Sequence, residues 1–124
     1  MVTRPTLLVV DDEPSVLLTY SMILKQKGYD VTAAASSQEA KSAIDARTFD
    51  LLICDLGLDK DNGGFDVVAY ARAKYPGTPA IVLTGYATKE AADQAQRENI
   101  IMLFKPVEIK DLLSAVAGLA RKAS

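Results

Sequence analysis

Histidine is missing from all 124 residues, which excludes imidazole acid–base catalysis, histidine metal ligation and a phosphohistidine on this chain. Any phosphohistidine belongs to a partner. Cysteine occurs once, as Cys54 in the apolar run Leu51-Leu52-Ile53-Cys54, where a small buried hydrophobe is the better reading than a catalytic thiol. With no second cysteine to pair with it, a reducing, cytoplasmic setting is expected. An excess of positive charge is also absent: 14 basic against 16 acidic residues leave a net charge of −2. No basic face is therefore expected for a nucleic acid. No apolar run approaches membrane-spanning length, and Met1 to Thr6 lead straight into a strand-like segment without the pattern of a signal peptide. No membrane partner is expected.

Hydrophobic residues make up 49% of the chain, enough to fill one core, so residues 1–124 are expected to form one domain. Short apolar runs recur at Leu7 to Val10, Val31 to Ala34, Leu51 to Cys54, Ala80 to Leu83 and Ile100 to Phe104, each followed by a longer amphipathic stretch. The runs are continuously apolar rather than alternating, as in strands covered on both faces of a parallel sheet. The expected fold is therefore α/β and doubly wound, with five parallel strands in the flavodoxin-like order 2-1-3-4-5 and helices on both faces.

Between the strands, Pro14 suits a first helical position, Val16, Tyr20, Ile23 and Leu24 make one helical face, and Gly28 supplies a left-handed closing residue. Ser36 or Ser37 caps the next helix, which turns Ala40, Ala43 and Ile44 inward. A third helix is predicted from Phe65 to Lys74, ending before Pro76. The last one is the clearest, with Ile109, Leu112, Leu113, Val116 and Leu119 at i, i+3, i+4, i+7 and i+10. By contrast, the helix from Lys89 to Glu98 has only Ala91, Ala92 and Ala95 to bury, and is expected to be the most mobile.

The polar residues that follow the strands fall into a pattern: Asp11 and Asp12 after the first, Asp55 after the third, Thr84 after the fourth, Lys105 after the fifth. In open α/β sheets ligands bind at the carboxyl ends of the strands, where strand order reverses. That point lies between the first and third strands and brings Asp12 beside Asp55. Close carboxylates raise one another's pKa and call for a cation, and an all-oxygen donor set suits Mg²⁺ or Mn²⁺ rather than Zn²⁺. Lys105 is placed to pair with a carboxylate or a phosphoryl oxygen, and Thr84 adds a hydroxyl donor. A carboxylate, a divalent ion, an ammonium and a hydroxyl at one spot are the equipment for phosphoryl transfer to Asp55.

Taken singly, each piece has a plainer account. Asp11 and Asp12 can be a solvated turn, Asp12-Glu13-Pro14 a helix cap, Thr84 a turn residue and Lys105 a surface lysine. Their conjunction at four matching strand ends argues against coincidence. The segment Asp59-Lys60-Asp61-Asn62-Gly63-Gly64 hints at a calcium loop, but the next acceptor position falls on Gly63 and the distal glutamate position on Tyr70, so the spacing fails.

Leu8-Val9-Val10-Asp11-Asp12-Glu13-Pro14, Asp50 to Leu56, Leu83-Thr84-Gly85-Tyr86 and Lys105-Pro106 together resemble, over essentially the whole chain, the receiver domain of bacterial two-component response regulators, single-domain chemotaxis regulators included. The resemblance implies a phosphoacceptor at Asp55, metal ligation by Asp12, Asp55 and the Gly57 carbonyl with Asp11 helping through water, and phosphoryl contacts from Thr84 and Lys105. It also implies a cis Lys105-Pro106 bond. The phosphoryl donor would be a sensor histidine kinase or histidine phosphotransfer protein. The output would run through the fourth helix, fifth strand and fifth helix to a downstream protein target or a C-terminal effector domain, and the only chemistry would be the domain's own phosphorylation and dephosphorylation.

Three departures accompany the match. Leu58-Asp59 stands where the family often has Met-Pro, and Gly64-Phe65-Asp66 is displaced by one inserted residue. Met102 takes the place of the usual aromatic switch residue. Tyr86 occupies a position that tunes acyl-phosphate hydrolysis, where its bulk would obstruct the attacking water. Two other readings keep the fold: a phosphorylation-independent adaptor, which Mg²⁺ binding would argue against, and a small flavodoxin-like cofactor protein, which the carboxylates after the first strand disfavour.

Overall fold

The computed structural model describes residues 4–58 and 63–123, with side chains as far as Ala120. The residues of the calcium-loop hint from Asp59 to Asn62 lie outside them. Strands β1 (Thr6–Val10), β2 (Asp30–Ala34), β3 (Leu51–Asp55), β4 (Ala80–Thr84) and β5 (Ile101–Phe104) alternate with helices α1 (Pro14–Gln26), α2 (Ser37–Ala46), α3 (Gly63–Lys74), α4 (Lys89–Arg97) and α5 (Ile109–Ala123). The strands form one sheet of order β2-β1-β3-β4-β5, every pair parallel. Sequence order thus reverses between β1 and β3.

Side chains along a strand alternate between faces, and the core divides accordingly. Leu7, Val9, Leu51, Ile53, Ile81 and Leu83 meet Tyr20 and Leu24 of α1 and Leu112 and Val116 of α5. Leu8, Val10, Leu52, Cys54, Ala80 and Val82 meet α2, α3 and α4 through Ala40, Ile44, Val67, Val68, Ala91 and Ala95. The central strands are buried except at the end residues Thr6 and Asp55, which explains why their sequences show no alternation, whereas edge strands β2 and β5 are part-exposed. Each fully buried aliphatic side chain contributes about 1.5–3 kcal/mol.

Helix ends follow local chemistry. Pro14 opens α1, the Ser36 hydroxyl accepts from the Glu39 amide to cap α2, and Gly28 takes a φ of +96° after α1. Of the residues assigned to the first face, Ile23 is only half-buried, and Ser21 takes a buried place beside Tyr20 and Leu24. Helix α3 begins at Gly63 rather than Phe65, because two glycines let the chain turn tightly against β3. A Cβ on Gly64 would stand 2.8 Å from the Asp55 carbonyl oxygen, and one on Gly63 would stand 2.6 Å from that of Leu58. The fifth strand starts one residue later than Ile100, and Ile100 instead packs into the core. In α4 only Ala91 and Ala95 are buried; Ala92 faces outward.

Candidate functional site

The register fixes the site. Val10 pairs with Cys54, so Asp11, one residue past β1, stands beside Asp55, the last residue of β3. Thr84 pairs with Phe104, which carries Lys105 to the same sheet edge one residue further on. Carboxylate oxygens of Asp11, Asp12 and Asp55 lie within 4.8 Å of one another. The Lys105 ammonium donates to Asp55 Oδ1 at 3.1 Å and to Asp11 Oδ2 at 3.4 Å. Three of the five side chains expected at the site are thus carboxylates gathered around one ammonium.

Their environments differ. Asp11 is only 2% exposed, Asp12 is exposed and Asp55 lies between. Burial raises the Asp11 pKa above its ordinary value, against the lowering effects of the Glu13 amide, which donates to Oδ1 at 2.9 Å, and of Lys105. Burial alone would lower that of Lys105, yet its bonds to Asp55 and Asp11 prevail and raise it. Lysine is therefore firmly cationic here. Next to Asp55, burial and that carboxylate push the Cys54 thiol up to about 12, which fits the reading of an inert hydrophobe.

An all-oxygen set with one ligand open to solvent fits Mg²⁺ or Mn²⁺, which retain water and favour carboxylates. An ion held there would neutralise the crowded carboxylates.

Thr84 and Gly57 are placed less simply. Thr84 is buried at the site's edge, and its hydroxyl donates to the Tyr86 carbonyl at 2.7 Å while accepting from the Tyr86 amide at 3.2 Å. The hydroxyl is thus spent on its own loop rather than aimed at Asp55. Gly57 is exposed between buried Leu56 and Leu58. Tyr86, which stands beyond Thr84, is 83% exposed. Lys105-Pro106 is cis, as the resemblance implies. Met102 is half-buried against the α2–α4 side of the core.

Two residues make contacts beyond what the sequence reading gave them. Tyr20, assigned there to the core, has its pKa raised by burial and lies near enough to Lys105, Asp11 and Asp55 to feel their charges. Arg72 of α3 donates through Nε to the Thr78 carbonyl at 2.9 Å, through Nη1 to that of Glu98, and through Nη2 to that of Asn99 at 3.3 Å. A helical tyrosine with hydrophobic neighbours and an arginine late in a helix carry no sequence signal of either role.

Comparison with known proteins agrees with this geometry. Residues 7–117 match the family model of the response regulator receiver domain. The chain is 35% identical over 90% of its length to the alginate biosynthesis transcriptional regulatory protein AlgB of Pseudomonas aeruginosa, and 32% identical over 96% to the response regulator protein PilR of the same organism. It spans about a quarter of the length of these curated relatives (25% and 27%). Among solved structures, a CheY-like receiver domain protein from Methanospirillum hungatei JF-1 superposes with a TM-score of 0.89 at 28% identity, covering 98% of this chain and 97% of that one. A receiver protein from Sinorhizobium medicae WSM419 gives 0.87 at 28% identity, covering 98% of each. A family match over most of the chain, joined to strand order β2-β1-β3-β4-β5 and to carboxylates at the reversal point, places this chain in the response regulator receiver family, a signalling domain of two-component systems.

Proposed function

We propose that the chain accepts a phosphoryl group on Asp55 in an Mg²⁺-dependent reaction, from a sensor histidine kinase or a histidine phosphotransfer protein. The observation that carries this reading is the convergence of Asp11, Asp12 and Asp55 within 4.8 Å, with Lys105 bonded to Asp55. A carboxylate oxygen of Asp55 attacks phosphorus as the phosphorus–nitrogen bond of the partner's phosphohistidine breaks, and the imidazole nitrogen keeps the electron pair. Asp11, Asp12, Asp55 and the Gly57 carbonyl would hold the ion. Lys105 is already beside Asp55 and would shift from carboxylate to phosphoryl oxygen without crossing the pocket. The acceleration comes from placed charge and position rather than from a proton-transfer group.

Thr84 would turn its hydroxyl from the Tyr86 carbonyl to a phosphoryl oxygen, and this exchange couples the chemistry to shape. A phosphoryl group shifts the balance between two conformations only as far as it prefers one of them, and the new bonds to Thr84 and Lys105 supply the preference. The altered surface would be that of α4, β5 and α5, where Ile101 and Phe104 are exposed. Residues 1–124 would act as one cytoplasmic receiver unit whose output goes to a protein target or an attached effector domain. Among the described residues no helix is long and apolar enough to cross a membrane.

Intact mass after incubation with acetyl phosphate tests the reading. An added phosphoryl mass that needs Mg²⁺ and is missing in Asp55→Asn is the expected result. No adduct and no Mg²⁺ binding, under conditions that label a known receiver, would leave a phosphorylation-independent adaptor as the better account.

A further inference from the structure

We propose that α4 works as a lever with one fixed end, Arg72 of α3 being the fulcrum that confines movement to the end nearest Asp55. The proposal rests on the phosphoacceptor reading and adds how the resulting displacement is shaped.

The two ends of α4 are held by different means. At its carboxyl end Asn99 adopts a φ of +56°, its amide donates to the Gln96 carbonyl at 3.2 Å, and the Ile100 amide donates to that of Ala95 at 2.8 Å. This is the paired closure of a Schellman turn, sealed by the buried Ile100 and Ala95. Two carbonyls at this end, those of Glu98 and Asn99, then receive the Arg72 guanidinium, which also holds the Thr78 carbonyl before β4. Among the described residues each hydrogen bond of Arg72 goes to a main-chain carbonyl. Its planar fork therefore ties the α3–β4 connection to the α4–β5 connection, and its charge suits the negative end of a helix.

Among the described residues the amino end has no such cross-tie. Thr88 caps it by accepting from the Ala91 amide at 3.1 Å, a bond within the helix's own first turn. Gly85 and Tyr86 before it are exposed, and the bonds joining this loop to the sheet include the pair between Thr84 Oγ1 and Tyr86. A hydroxyl has a single proton, so Thr84 cannot donate to the Tyr86 carbonyl and to a phosphoryl oxygen together. Donation to the phosphoryl releases the loop. The helix body resists little, because the side chains it buries are Ala91 and Ala95. The amino end swings while Glu98 to Ile100 stay, so the groove lined by Ala92, Gln96, Met102 and Phe104 opens from one end rather than along its whole length. Arg72 is thus a positioning residue for the switch, well away from the acid pocket, and the readout does not need an aromatic side chain at Met102.

Residue-resolved amide hydrogen exchange on the full chain tests this without any phosphoryl donor. In Thr84→Val, exchange at Ala92 and Asp93 should accelerate about tenfold while Asn99 and Ile100 stay as in the parent. In Arg72→Ala the pattern should invert, with Asn99 and Ile100 accelerated about tenfold; Arg72→Lys, which keeps the charge and reach for one carbonyl, should fall between and serves if the alanine variant does not fold. Equal acceleration at both ends in Thr84→Val, or unchanged exchange at Asn99 and Ile100 in the Arg72 variants, would overturn the lever. With acetyl phosphate and Mg²⁺, amide shifts in the parent should fade before Glu98 and spread to Ile100 in Arg72→Lys; a uniform shift along α4 in the parent also overturns it. A failure to form the phosphoryl adduct would instead count against the role of Asp55, leaving the exchange comparison to judge the lever.

Discussion

The two edges of the sheet handle charge in opposite ways. At the amino edge, Asp50 accepts from the Thr6 amide at 2.8 Å and from its hydroxyl at 3.2 Å, and Arg72 is met by three carbonyls. The charges there are compensated by hydrogen bonds within the fold. At the carboxyl edge, Asp11 and Asp55 share Lys105 with Asp12 beside them, and burial raises the pKa of Asp11, the most buried of the three. Polar groups at one edge hold the fold together, whereas those at the other are kept at a cost to it. A carboxylate perturbed by burial beside two others is what a binding site tolerates and what a purely structural edge avoids.

The largest effect expected from this contrast is functional. Asp11→Asn should weaken Mg²⁺ binding and phosphoryl uptake by about 100-fold while raising the stability of the metal-free protein by about 1 kcal/mol, because it removes a charge that burial disfavours. Titration of Mg²⁺ alongside urea unfolding checks both halves, and a loss of stability would break the comparison. Asp50→Ala should do the reverse, costing about 2 kcal/mol by leaving the Thr6 amide and hydroxyl without their acceptor, with phosphoryl uptake unchanged. Away from both edges, Ser21 is the control: its hydroxyl is buried with no hydrogen-bond partner among the described residues, so Ser21→Ala should raise stability by about 1 kcal/mol and leave uptake alone.

The smallest effect is one of pH. Because the folded Asp11 pKa lies above the 3.8 of the free group, its contribution to stability is fully present below 3.8 and is lost as pH rises through the raised folded value. Between those two values the metal-free parent should therefore gain on Asp11→Asn as the solution is acidified. Urea midpoints of both proteins across that window measure the gain, and parallel curves would show that Asp11 is not strained by burial.

Much of this was legible in the sequence because it depends on local pattern. The five apolar runs and the caps at Pro14, Ser36 and Gly28 are short-range signals, and parallel strand order follows from crossover handedness. Asp11, Asp12, Asp55 and Lys105 were legible because strand ends are where such a sheet exposes chemistry. What stayed hidden depends on contacts between distant segments. The bonds of Arg72 span up to 27 residues, and nothing in Ala71-Arg72-Ala73 marks that arginine from a solvated one. The commitment of the Thr84 hydroxyl to Tyr86 was hidden for another reason, since a loop rotamer leaves no periodic trace. The start of α3 was missed because glycine discourages helix in isolation. Here Gly63 and Gly64 fit the start of the helix because the backbone at Leu58 and Asp55 leaves no room for a side chain.

The lone thiol has a practical consequence. Cys54 is fully buried and its ionisation is pushed up to about 12, so at neutral pH it offers neither access nor thiolate to a maleimide or nitroxide reagent. The protein therefore comes ready for single-site labelling. With Ala92→Cys, at an exposed position, the new thiol would be the lone reactive one, and a fluorophore or spin label there would report α4 without replacing Cys54. Tryptophan is absent from the chain as well, so one placed on the same helix would give an emission signal with no background from its own kind.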